Sequence, residues 1–257
     1  MLLRKKKQVV PPYSALAEIY DFVMNHVDYI RWAAFIKRII ERHNASVRNV
    51  LDASCGTGSL AFRLADLGFQ VVGCDRSEKM LLIARQKNSY RSLAVAFWCA
   101  DLKRFRLRRP VDLVLCTYDS INYLLHEKDW LACLDSAANA LGHGGLFVFD
   151  VSTVYNSLHS FARFHQRERG DRFSYLRKSR FNKKTMIQKN YFEICKQPGH
   201  QMVYSETHIQ RIRTFEEVCE TITKSPFTLL AHYNNFSFSP STPTSERIHF
   251  VLQKRPR

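Results

Sequence analysis

At 257 residues, 46% of them hydrophobic and 24% charged, the chain has the composition of a soluble globular protein, long enough for one large domain with an insertion or for one and a half domains. Thirty-nine Lys and Arg against 23 Asp and Glu leave a net charge of +16, which points to an anionic partner (nucleic acid, a phosphorylated or carboxylated substrate, a membrane surface) as readily as to a generally basic chain. No apolar run approaches the ~20 residues of a membrane span, residues 1–10 lack the apolar centre of a secretory leader, and seven cysteines without a C-x-x-C pair read as reduced core thiols of a cytoplasmic protein.

Residues 4–7, Arg-Lys-Lys-Lys, belong to a basic tail over 1–10 that is expected to be disordered, and Pro11-Pro12 ends it. Helices are predicted over 13–26 and 29–43. In the second, Trp32, Phe35, Ile36, Ile39 and Ile40 make one apolar stripe, so 11–45 reads as a helical cap. Next comes the stretch on which the rest is built, 47–58. Val47, Val50 and Leu51 suggest a strand ending near Asp52. Small residues follow at Ala53, Ser54, Gly56 and Gly58, then a helical pattern with Leu60, Phe62, Leu64 and Leu67. Such a loop lets the backbone approach a ligand, and the helix N-terminus offers it free N–H groups. Gly56-Thr57-Gly58-Ser59-Leu60-Ala61 also fits the loose dinucleotide pattern. Asp52, however, would repel a pyrophosphate and hold a cationic amine. The helix stops at Gly68, placed as a C′ glycine. Residues 69–75 form a second, nearly all-apolar strand, as buried parallel strands are. It ends at Asp75, with Ser77 capping the next helix. A third strand over 95–99 leads to Asp101. Three acids thus stand at the carboxyl ends of three successive strands, where open α/β sheets bind ligands.

The loop resembles motif I of the class I S-adenosylmethionine (SAM) methyltransferases, D/E-x-G-x-G-x-G, with Ser54 in place of the first glycine. The resemblance implies that Asp52, Ala53, Ser54, Gly56 and Gly58 surround SAM and that Asp75 accepts both ribose hydroxyls. Arg76 and Met80 would flank the adenine, although Met80 reads equally as core, and Asp101 with Leu102 would meet its amino group. The pattern Tyr13…Ala17…Tyr20-Asp21…Asp28-Tyr29…Trp32 resembles the N-terminal cap of glycine and amino-sugar N-methyltransferases. In those the early helices fold over the cofactor. Tyr20 and Trp32 then face SAM and Tyr13 the acceptor; the alternative is that Tyr20 and Trp32 pack a helix pair.

Five basic residues in 103–109 make a solvated loop or an anion-facing rim. The fourth strand, 111–116, brings Cys116 and Thr117 to the cofactor, and 117–123, Thr-Tyr-Asp-Ser-Ile-Asn-Tyr, stands where the resembling enzymes orient the acceptor. It is neither Asp/Asn-Pro-Pro-Tyr/Phe nor Pro-Cys, which argues against base methylation by those two routes. Tyr118, Asp119 and Asn122 are the acceptor-orienting candidates; Asn122 reads equally as a cap or turn residue. A helix over 127–141 is broken by Gly142 to Gly145, and 145–151 is strand five. From 152 to 212 the texture changes to period-two alternation, with strands over 185–195 and 201–213 around a Pro198-Gly199 turn. Residues 163–189 carry ten Lys and Arg against two acids. This reads as a β-rich insertion covering the site, which the resemblance makes the acceptor module. Glu206, His208 and Gln210 share one face; Glu206 and Arg211 are candidate acceptor contacts, and His208 is either a general base or structural. Thr214-Phe-Glu-Glu217 is a capping box. The strands 227–236 and 247–253 then complete the core over 213–257.

The expectation is a seven-strand Rossmann-like α/β sheet (core 46–151, insertion 152–212) in which the last strand runs antiparallel beside strand five. The implied reaction is methyl transfer from SAM to N or O of a small anionic molecule. No metal spacing of His, Cys, Asp and Glu is present. An RNA methyltransferase, suggested by the charge, and a non-catalytic SAM-binding scaffold are the alternatives.

Overall fold

The computed structural model describes residues 6–43, 45–91, 95–196 and 202–256. In chain order these give β1 (Lys6–Val9), a 3-10 turn (Leu16–Ile19), α1 (Tyr20–Val23), α2 (Tyr29–Arg42), β2 (Asn49–Asp52), α3 (Ser59–Asp66), β3 (Gln70–Asp75), α4 (Glu78–Asn88), β4 (Ala96–Cys99) and β5 (Val111–Cys116). Then come a 3-10 turn (Ser120–Tyr123), α5 (Glu127–Ala140), β6 (Leu141–Ser152) and α6 (Val154–His159). The insertion holds β7 (Arg163–Arg169), β8 (Phe173–Asn182), β9 (Ile187–Lys196) and β10 (Met202–Arg211), and α7 (Phe215–Thr223), β11 (Phe227–Asn234) and β12 (Arg247–Lys254) close the chain.

The larger sheet has the order β11-β12-β6-β5-β2-β3-β4. Its five central and lateral strands run parallel, while β12 lies antiparallel between β6 and β11, as the sequence reading expects. Alternation along β6 explains why helices cover both faces: Phe147, Phe149 and Val151 pack with α5 and α7, while Leu146 and Val148 turn to α2 and α3. Trp130, Leu134, Val218 and Ile222 fill the first layer, and Phe35, Ile36, Ile39 and Leu64 the second. Gly68, at φ +93°, follows the C-cap of α3 and turns the chain into β3. The Thr214 capping box is formed as read.

Four expectations are corrected. The tail is not disordered throughout: Lys6–Val9 pairs in parallel with β10, from Lys6 opposite Met202 to Val9 opposite Ser205, covering an edge whose backbone groups would otherwise lack partners. Residues 13–26 do not form one helix. Tyr13 sits at φ +60° and the Glu206 carboxylate takes the N–H groups of Tyr13, Ala15 and Leu16, which holds the segment as two short turns. The glycines after α5 do not separate it from a strand, because β6 starts at once at Leu141 and its pairing with β5 shifts register there. The insertion contributes four strands, completed by β1 into a second sheet β1-β10-β9-β8-β7; the Pro198-Gly199 turn lies outside the described residues. All seven cysteines are free thiols.

Several buried polar atoms lack a hydrogen-bond partner, and His249 is the one whose two ring nitrogens both do. His249 on β12 is fully buried among Trp32, Phe35 and Phe236, and neither ring nitrogen has a hydrogen-bond partner. Burial, with Arg247 adding to it, depresses its basicity well below the ordinary histidine range. The unfolded chain therefore binds a proton below about pH 6.5 that the folded chain does not. His249→Phe is expected to stabilise the fold by roughly 1–2 kcal/mol at neutral pH and by more at pH 5. Urea midpoints at pH 5 and 8 check both the sign and the growth.

Candidate active site

The carboxyl ends of β2 and β5, the cap and the inner face of the insertion enclose a cavity of about 320 Å³. The parallel sheet delivers Asp52, Ser54 and Gly56 to one wall and Thr117, Tyr118 and Asp119 to the next. The cap supplies Tyr13 and Tyr20, and the insertion supplies Arg177, His208 and Gln210.

At the cofactor end, Asp52 is 1% exposed and its nearest donor is Ser54 N at 3.4 Å. Burial, with a contribution from Asp75, pushes its carboxyl up to about 7. A buried acid with so little support fits a cationic ligand group. Asp75 accepts from Gly56 N at 2.9 Å and Ser77 N at 2.8 Å; each oxygen keeps a lone pair for another donor. Gly56 stands at φ +53°, and a Cβ there would meet Met80 Cε at 3.2 Å. The chemistry of these residues fits the amine and ribose of SAM.

Cap and loop are tied together. Ser77 Oγ donates to Tyr13 O at 3.2 Å, and Asp21 takes Thr57 Oγ1 at 2.6 Å and Lys87 Nζ at 2.9 Å.

At the acceptor end a hydrogen-bonded chain crosses the cavity wall. Tyr13 and Tyr123 share a hydroxyl contact of 2.8 Å, Tyr123 Oη lies 2.9 Å from His208 Nδ1, and His208 Nε2 lies 3.0 Å from Glu206 Oε2. Burial raises the Tyr13 and Tyr123 phenols well above their ordinary range, so both stay protonated at neutral pH. Burial would raise Glu206 too, but its bonds from His208, Leu16 and Ala15 overcome it and hold the carboxyl below the usual range.

Beside this chain lies an ion cluster. Arg247 Nη2 meets Asp119 Oδ1 at 2.8 Å while Nη1 bonds Asp150, and the guanidinium sits 4.9 Å from the Tyr118 ring centroid. Asp150 also accepts Tyr118 N at 2.6 Å and Asp119 N at 2.9 Å. It thereby holds two successive non-glycine residues at φ +60° and +49°, a conformation that needs such support. Gln210 Nε2 fixes the other Asp119 oxygen at 2.6 Å.

Of the sequence-predicted residues, Tyr13, Tyr20, Asp52, Ser54, Gly56, Thr117, Tyr118, Asp119 and His208 line the cavity. The others lie outside its wall; Asp75 stands behind it and reaches the lining loop through Gly56 N. Trp32 packs between Phe236 and His249 as part of the core. Ala53 and Cys116 are buried beneath the loop, and Gly58 begins α3 against Phe62 and Phe97. Met80 is core, Arg76 is exposed, Leu102 packs against the sheet, and Asp101 binds Lys103 N. Asn122 donates to Arg211 O at 3.1 Å and is a buried structural residue. Arg211 pairs with Glu217 at 3.1 Å. Glu206 receives four hydrogen bonds, two on each oxygen, so no lone pair remains for an acceptor molecule.

Sequence reasoning missed Tyr123, Asp150, Arg177 and Arg247. Asp150 carries the same signal as the other strand-end acids. Arg177 is the one charged residue in the inward phase Phe173, Tyr175, Arg177, Ser179 of β8, a departure from alternation that marks it. Among the described residues no group of three or more His, Cys, Asp or Glu is placed to hold a metal, and no helix is long and apolar enough to cross a membrane.

Comparison with known proteins bears on the fold and the family. The family model described as "Methyltransferase domain" matches residues 50–145. A protein of Geobacillus sp. (strain WCH70), provisionally named a methyltransferase, is 29% identical over 245 residues, 94% of this chain and 99% of its own. The dTDP-3-amino-3,6-dideoxy-alpha-D-glucopyranose N,N-dimethyltransferase of Streptomyces fradiae is 35% identical over 136 residues, 52% of each chain. Among solved structures, a S-adenosylmethionine-dependent methyltransferase from Clostridium acetobutylicum ATCC 824 superimposes with a TM-score of 0.82 at 24% identity, covering 94% of this chain and 98% of that one.

Proposed function

We propose that this chain, a SAM-dependent methyltransferase, methylates an amine or hydroxyl of a small acceptor that also carries a carboxylate or phosphate. The observation that carries the acidic group is Arg177. Its guanidinium lies in the cavity wall 5.2–5.6 Å from the ring centroids of Phe161, Phe164 and Phe192. It forms no ion pair among the described residues, and its Nε has no partner. A guanidinium left unpaired in a site lined by aromatic rings suits a planar or tetrahedral anion held bidentately. The Streptomyces relative is named for a dTDP-linked amino sugar, which bears such a group.

SAM, when bound, supplies a methyl already activated by its positive sulfur. The work left to the protein is alignment and exclusion of water. On this reading Asp52 holds the SAM ammonium, Asp75 the ribose and Arg177 the far end of the acceptor. The Tyr123 hydroxyl takes the proton of the reacting group as it passes its own to His208 Nδ1, so it ends protonated, and Glu206 stabilises the imidazolium that results. The phenols stay protonated, so the imidazole is the base of the chain.

Arg177→Met tests the reading. With matched acceptors differing only in the acidic group, wild type is expected to favour the anionic member. The substitution is expected to raise KM for that member by on the order of 10²-fold and to leave the neutral one unchanged. Equal KM values for both acceptors in wild type refute the anionic acceptor.

A further inference from the structure

We propose that the solvent face of the inserted sheet docks a single-stranded nucleic acid, its phosphates held by a ladder of arginine and lysine and one base stacked on Tyr191. The inner face closes the cavity; the outer one has no task in methyl transfer. The register sets Arg163, Arg180 and Lys189 side by side on β7, β8 and β9. The adjoining row is His165, Lys178 and Tyr191, and Arg167 opens the next. With strands about 4.8 Å apart, three cations of one row span roughly 10 Å, a reach that takes in more than one phosphate of a single strand.

All these side chains are exposed, and Arg163, Arg167, Arg169, Lys178, Arg180 and Lys189 form no ion pair among the described residues. The acid on this face, Glu193, is occupied by Lys7 at 2.8 Å. Like charges directly opposite one another weaken a sheet, so the ladder is a standing cost that a counter-anion relieves. A groove of about 590 Å³ runs along Arg163, His165, Lys178 and Arg180 at the β7 edge.

The face suits a polyphosphate better than an acidic protein. Its exposed apolar groups are two diagonal neighbours, Tyr191 at 36% and Ile209 at 37%, too few for the packed centre that protein interfaces need. A lone exposed tyrosine among cations is instead a stacking platform for an unpaired base.

The test is fluorescence polarisation of a labelled oligouridine RNA of about 15 nucleotides with the full chain, where four to six phosphate contacts correspond to a salt slope near −3 to −4. Binding is expected to weaken on the order of 10²-fold between 50 and 200 mM salt. The triple variant Arg163→Glu, Arg180→Glu, Lys189→Glu is expected to lose at least ~30-fold in affinity, and Tyr191→Ala about tenfold. SAM binding is expected to stay at the wild-type level in both, which certifies their folding. The proposal fails if wild type does not bind the RNA at 50 mM salt, or if both variants bind it like wild type. It fails equally if polyglutamate of matched charge displaces it as well as RNA does, or if a duplex of the same length binds more tightly.

Discussion

Asp52→Asn is expected to abolish most SAM binding and, at the same time, to raise the melting temperature of the apoprotein. Both effects come from the same burial. A carboxyl held up near 7 costs the ionised folded state up to about 4 kcal/mol relative to the unfolded chain. The group's folded value lies above its unfolded one, so the cost is absent near pH 4, grows through pH 5 and 6, and levels off above 7. An asparagine side chain, uncharged and of the same shape, escapes it. The difference in melting temperature between variant and wild type is therefore expected to start near zero at pH 4 and reach up to ~10 °C by pH 8. On the proposed assignment of Asp52 to the ammonium, the substitution weakens SAM binding on the order of 10²-fold. Wild-type affinity for SAM is then expected to fall as pH drops below 7, because binding must expel a proton. Calorimetry across pH 5.5 to 8.5 reads both. A pH-independent affinity, with the Asp52→Asn variant binding as well as wild type, rules the assignment out.

Arg247→Met is expected to cost roughly 3–5 kcal/mol of folding stability. The guanidinium is shared by Asp119 and Asp150, and Asp150 is completely buried. Two carboxylates keep Arg247 protonated. Deleting it leaves one buried charge, and a second largely buried one, without a counter-ion in a loop already held at positive φ. Arg247→Lys is expected to fall between, since an ammonium does not bridge two carboxylates in the plane of a fork. The double variant Arg247→Met with Asp150→Asn is expected to recover part of the loss. Urea midpoints for the four proteins check the order, and a recovery of nothing in the double variant contradicts the charge argument.

The sheet was legible because its strands report their burial directly. Leu113–Cys116 and Val71–Cys74 are free of polar side chains that seek water, and only strands covered on both faces need that. Asp52 stood out for the opposite reason, as an acid ending such a strand. What escaped reading is set by partners far away in sequence. Tyr13 to Leu16 have ordinary helical composition, and only Glu206, some 190 residues on, takes their N–H groups and prevents a helix. Arg247 looks like any strand-opening arginine until Asp119 and Asp150 are folded against it. Trp32 and Met80 show the ambiguity of large apolar residues, which suit a ligand pocket and a core alike; both went to the core. The insertion's inner residues obey period two, yet periodicity alone does not tell which of the two phases looks at the site.

The pairing of β1 with β10 has a consequence for synthesis on the ribosome. Lys6–Val9 leaves the exit tunnel long before its partner, which begins at Met202. At 5–20 residues per second, some 10–40 s pass before that edge exists. For that interval the first strand of the chain has no place to go, and Val9, 81% exposed even when paired, rides on a run of lysines that keeps it soluble. β2 to β6 are able to pair in the meantime, whereas β12 and β11, which complete the larger sheet, follow β10 out of the tunnel. A chain whose residues 6–9 are replaced by Gly and Ser is expected to refold its larger sheet at an unchanged rate and to lose only the closing of the inserted sheet at β10.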